Sequence, residues 1–63
     1  MKRYCVWDAV YRDFLENFET AEAAKEYCRN QIKKGARGIY IVGKWTSNNP
    51  ESTEYKELCR IIG

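Results

Sequence analysis

The spacing of apolar residues changes several times along the chain, and each change marks an element. Arg3 to Trp7 is rich in aromatic and β-branched residues and free of Gly and Pro, which predicts a strand. From Arg12 to Phe18 the alternation predicts a second strand, with Phe14 and Phe18 on one face and Asp13, Leu15 and Asn17 on the other. The same stretch also satisfies a helix: Val10, Tyr11, Phe14, Leu15 and Phe18 share one helical face that Asp8 could cap, and no Asn-Gly type turn decides the matter. The hairpin is preferred because a lone Arg3 to Trp7 strand would have too few partners.

Thr20 reads as the N-cap of a helix that runs to about Lys34 and stops at Gly35. Ala21, Ala24, Cys28 and Ile32 form its apolar stripe, the alanines allowing close approach to a sheet, while Glu22, Glu26, Arg29, Asn30 and Lys33 form a solvated face. Arg37 to Trp45 predicts another strand, with Ile39 and Ile41 facing the helices and Tyr40, Val42 and Lys44 facing away. The run Thr46-Ser47-Asn48-Asn49-Pro50 is a loop, with Pro50 suited to a first helical turn. Tyr55, Leu58, Cys59 and Ile62 then have the i, i+3, i+4, i+7 spacing of a closing helix.

The expected fold is a small α+β domain of order ββαβα, with a three-stranded antiparallel sheet of order 2-1-3 and both helices on one face. The opposite face is left open. On it, Trp7 and Arg3 could join Tyr40 and Lys44 as aromatics interleaved with cations, although a large aromatic such as Trp7 belongs first to the core of so small a domain.

Sixty-three residues make a single domain, 1–63. Such a chain buries only about 60% of the surface its unfolded form exposes, so a partner or self-association would help to hold it. With 44% hydrophobic and 14% aromatic residues the composition is that of a folded protein. The start lacks the apolar stretch of a secretory signal and no segment is long enough to span a bilayer, which makes the cytoplasm the expected location and excludes a membrane partner. Cys5, Cys28 and Cys59 are widely spaced and the chain has no histidine, so the cysteines read as reduced core residues, with neither metal nor cofactor expected.

Charge adds the main functional clue. The net charge of +2 conceals an acidic block, Asp8, Asp13, Glu16, Glu19, Glu22 and Glu26, followed by Arg29, Lys33, Lys34, Arg37 and Lys44 with no acid before Glu51. Part of this sorting complements the helix dipole. Without histidine, nucleophile turn, Gly-rich phosphate loop or ligand spacing, an enzyme is not expected. The leading expectation is a non-enzymatic binding module that occupies the surface of a larger protein as a regulator or inhibitor, with Tyr11, Leu15, Tyr40, Lys44 and Trp45 as the contact residues. In size and element order the chain is similar to many small prokaryotic and phage-encoded accessory domains. An unprotected edge strand offers a route to a homodimer. The second expectation is a nucleic-acid binder using Arg29, Lys33, Lys34, Arg37 and Lys44, with Tyr40 stacking on bases.

Overall fold

Five elements follow one another in the order ββαββ, and the computed structural model that shows them describes residues 2–49 and 51–63. Strands β1 (Tyr4–Asp8) and β2 (Asp13–Phe18) form the expected hairpin, helix α1 (Ala21–Lys33) follows, and β3 (Ile39–Trp45) and β4 (Tyr55–Ile62) form a second antiparallel pair. The four strands make one antiparallel sheet of order β2-β1-β3-β4. The expected 2-1-3 arrangement is thus present, with β3 antiparallel to β1, and β4 extends it.

The closing segment 55–62 is a strand, not the expected helix. Its register explains why. Cys59 pairs with Val42 and Glu57 with Gly43, so Leu58 is an extra residue that bulges from β4 and shifts the alternation by one place. The apolar positions on either side of the bulge thereby imitate helical spacing. The Pro50 expectation lies outside the described residues.

Helix α1 starts where expected. Thr20 is extended, with φ −134° and ψ 155°, and its Oγ1 accepts a hydrogen bond from the Ala23 N–H at 3.1 Å, satisfying one of the four free donors of the first turn. At the other end Gly35 adopts φ +97°, its N–H donates to the Ile32 carbonyl and the Ala36 N–H donates to the Gln31 carbonyl, both at 3.0 Å. This paired closure needs a left-handed residue at position 35, which glycine supplies without steric cost.

The helix crosses one face of the sheet and touches all four strands. Ala24 and Cys28 are fully buried beneath it, together with Val6 and Val42, and Tyr40 completes this core at 8% exposure. Tyr4, Phe18, Tyr27, Ile32, Cys59 and Ile61 pack around it. The facing of β3 is therefore opposite to expectation: Tyr40 and Val42 point at the helix, and Ile39 and Ile41 point away. Both faces of this strand are apolar, so alternation alone fixes no direction. The small Ala24 and Cys28 side chains leave room for Tyr40.

A bulge also reorders β2. Val6 pairs with Glu16 and Trp7 with Phe14, which leaves Leu15 as the extra residue. Phe14 and Phe18, expected on one face, consequently lie on opposite faces: Phe14 packs against Trp7 and Phe18 against Tyr27 on the helix.

Candidate functional site

The face of the sheet away from α1 carries a second, aromatic layer. Trp7 stands on β1, Phe14 on β2, Trp45 on β3 and Tyr55 on β4, one ring from each strand. Trp7 is the hub. It stacks on Tyr55 at 5.1 Å with 17° between the planes, and meets Phe14 at 5.5 Å and Trp45 at 6.1 Å edge to face. Trp45 closes the group against Phe14 at 6.1 Å and Tyr55 at 6.2 Å. Offset and edge-to-face contacts of this kind contribute about 0.5–1.5 kcal/mol per pair beyond the burial of area.

Small residues allow these rings to converge. Trp7 lies opposite Ile41, whereas Trp45 lies four residues further along β3. Between them sit the paired residues Cys5 and Gly43, whose low profile lets the large rings lean inward. The Tyr55 ring covers Gly43, where a methyl group would come within 2.5 Å of Tyr55 Cδ2. Ile41 is only 8% exposed although no helix covers its side of the sheet.

Two hydrogen bonds orient the tryptophans. Trp45 Nε1 donates to Asn17 Oδ1 at 2.8 Å, reaching across β1 from β3 to β2. Trp7 Nε1 donates to Cys5 Sγ at 3.3 Å. Burial raises the Cys5 thiol pKa, and the hydrogen bonds from Trp7 and the Gly43 backbone oppose that shift.

Beside the aromatic layer lies a recess of about 520 Å³, with Trp7, Phe14 and Trp45 as its apolar floor. Its opposite wall is the β3–β4 loop, including Ser47, Asn49, Glu51 and Ser52, and Lys2 and Arg3 stand at its margin. This loop is held by its own polar side chains. Asn49 Oδ1 accepts from the Glu51 N–H, Ser47 Oγ from the Asn49 N–H and Ser52 Oγ from the Glu54 N–H, at 3.0–3.1 Å. A second recess of about 380 Å³ lies on the other side of Trp7, bordered by Asp8, Arg12, Tyr55 and Arg60. Arg60 is engaged with Glu57, donating from Nε at 2.9 Å and from Nη2 at 3.1 Å. That ion pair holds the Glu57 carboxyl below its ordinary pKa.

The residues expected at a protein contact are dispersed. Trp45 belongs to the aromatic layer, and Tyr11 is 76% exposed in the β1–β2 turn. Tyr40 is buried under the helix instead of standing on the open face, and Leu15 is half-buried against the same core. Lys44 points to the helix side, where its Nζ lies 5.8 Å from the centre of the Tyr4 ring. The expected basic group divides too. Arg29, Lys33, Lys34 and Arg37 are exposed on the end of α1 and the following turn, with Arg29 3.8 Å from Glu26. Lys44 lies seven positions beyond Arg37, at the other end of β3. Phe14, which the sequence offers beside Tyr11 and Leu15 as an apolar anchor, stands in the layer although the β2 bulge hides its facing, whereas Tyr55 is not among the expected contact residues because its segment imitates a helix.

Among the described residues no three His, Cys, Asp or Glu side chains cluster as a metal site would require, and no helix is long and apolar enough to cross a membrane. The fold and the surface define a small α+β domain with one sheet face covered by a helix and the other by a layer of aromatic rings, of which Phe14 is exposed and Trp7, Trp45 and Tyr55 are half-buried. No protein-family model, curated protein or solved structure matches the chain.

Proposed function

We propose that the chain is a non-enzymatic binding module that docks on a larger protein through the aromatic face of its sheet, as a regulator or inhibitor does. The observation that carries this reading is the four-ring layer of Trp7, Phe14, Trp45 and Tyr55 bordering a recess with a polar wall. Protein interfaces concentrate binding energy in buried aromatic anchors surrounded by a polar rim that excludes water. Here the anchors are in place before binding, which reduces the ordering cost of association. The partner's contribution is a segment with an apolar side chain that enters the recess between Phe14, Trp45 and the β3–β4 loop.

The nucleic-acid reading has weaker support. Stacking on bases and pairing with phosphates must occur on one surface to act together. Of the basic group expected to meet phosphates, Arg29, Lys33 and Lys34 lie on α1 and its C-cap and Lys44 on the helix side of β3, so the cations beside the rings are a different set, Lys2, Arg3, Arg12 and the Glu57-paired Arg60. One face of Trp7 is already taken by Tyr55.

Selection from a random peptide library on the intact protein tests the proposal. Selected peptides should shift the Trp7 and Trp45 indole N–H resonances and should lose binding to Trp45→Ser, provided this variant keeps its circular dichroism spectrum. They should still bind the double variant Lys33→Ala, Lys34→Ala. Binding that survives Trp45→Ser and fails in the lysine variant would overturn the proposal.

A further inference from the structure

Resting on the docking role of the aromatic face, we infer that the segment it accepts is acidic, with carboxylates on both sides of its apolar anchor. The sheet sorts charge by face. Asp13 pairs with Asp8 and Glu16 with Val6, positions on the helix side, so these acids of β2 turn away from the rings. The aromatic side has cations at both ends of β1. Lys2 and Arg3 border the larger recess, and Arg12 and Arg60 border the smaller one.

The acids that border the two recesses are Glu51 and Asp8, and Asp8 Oδ1 is turned to its own loop, accepting hydrogen bonds from the Val10 and Tyr11 N–H groups at 2.9 and 3.2 Å, while Glu57 pairs with Arg60. Among the described residues, no carboxylate lies within ion-pair distance of Lys2, Arg3 or Arg12. The two recesses are therefore bordered by three cations with unused pairing capacity, Lys2, Arg3 and Arg12, against two carboxylates, Glu51 at the loop wall and Asp8 beside the smaller recess.

Arg12 gives a second, independent observation. It adopts φ +58° in the β1–β2 turn, the left-handed region where glycine or asparagine is normally placed. A glycine would close this turn with less strain, and strained positions concentrate at functional sites. The arginine side chain instead borders the recess beside Trp7 and Tyr55. From Arg3 to Arg12 the face spans roughly 20 Å, about six residues of extended chain at ~3.3 Å each. The expected ligand is an extended peptide with an aromatic or leucine anchor near its centre and a Glu or Asp about three residues to either side.

Synthetic peptides with a central Trp and acidic, neutral or basic flanks, together with a single-stranded oligothymidylate, test this by fluorescence polarisation on the full chain. The acidic peptide should bind about tenfold tighter than the neutral one, as two rim ion pairs would give, and the advantage should shrink with added salt. Arg3→Gln and Arg12→Gln should each remove part of that advantage and leave the neutral peptide unaffected. Arg12→Gly should raise the unfolding midpoint while losing the same preference, which separates ligand recognition from a structural role. Equal affinities for the three peptides, with the Trp7 and Trp45 indole resonances still shifting, would overturn the acidic assignment alone. Failure of every peptide to bind, or tighter binding of the oligothymidylate at these rings, would overturn both this assignment and the protein-docking role.

Discussion

The Tyr55 ring lies directly over Gly43, its diagonal neighbour on β3, two residues before its cross-strand partner Trp45. A methyl group on Gly43 would meet Tyr55 Cδ2 at 2.5 Å and the Lys56 carbonyl oxygen at 3.2 Å, so the ring would have to lift. Gly43→Ala should cost about 1–3 kcal/mol as an overpacked site. It should also weaken the Trp7–Tyr55 stack. Urea denaturation measures the first effect and a change in tryptophan fluorescence the second. Unchanged stability and emission would show that Tyr55 is free to move aside.

Asn17 supports the aromatic layer from β2, across β1 from Trp45. Its amide oxygen is the acceptor for the Trp45 indole N–H at 2.8 Å, in a part-buried position. Asn17→Ala leaves that donor without its partner, at an expected cost of about 1 kcal/mol. The Trp45 indole proton should shift and its solvent exchange should accelerate, both visible by nuclear magnetic resonance.

The N-cap separates folding from binding. Thr20→Ala removes the acceptor of the Ala23 N–H and should destabilise the chain by about 1 kcal/mol. Because α1 lies on the other side of the sheet, peptide affinity of the folded fraction should be unchanged. A parallel loss of affinity would mean that the helix and the aromatic face are coupled.

High pH should unfold the protein through its core. Burial, with the neighbouring Cys59 as a smaller cause, raises the Cys28 thiol from 9.0 to about 11. Burial raises Tyr40 as well, with Asp8 adding to it. A thiol with a higher pKa in the folded state keeps a proton that the unfolded chain gives up. Its stabilising contribution is full below pH 9 and is lost as the pH rises through about 11. Denaturation midpoints measured across that interval should fall for the natural chain and fall less for Cys28→Ala.

Local chemistry was legible where a single residue carries it. Thr20 and Gly35 fix the two ends of α1, and Ala24 and Cys28 mark its buried stripe, all readable from spacing. The hairpin and the β1–β3 pairing are preferred over a helix at 12–18 because they give Arg3 to Trp7 two neighbours, and both are present. What escaped depends on tertiary context. One extra residue at Leu58 gives β4 a helical rhythm, and another at Leu15 separates Phe14 from Phe18. Periodicity assumes an unbroken strand, and a bulge violates that assumption without a glycine or proline to signal it.

The candidate surface was hidden for a related reason. Trp7 fits a core as well as a platform, and its place on the aromatic side follows from its pairing opposite Ile41. Tyr40 and Ile41 are both apolar, so the choice of which one meets the helix depends on the small Ala24 and Cys28 side chains. Of Tyr11, Leu15, Tyr40, Lys44 and Trp45 only Trp45 stands in the aromatic layer, and its facing depends on the same register.

The two bulges have a further consequence, because Leu15 and Leu58 both lie on the outermost strands of the sheet. Each breaks the regular row of backbone donors and acceptors that another chain would need in order to extend the sheet sideways, one of the devices by which proteins resist fibril growth. Lateral growth of the sheet is blunted at both flanks, which leaves its broad surfaces as the less interrupted ones.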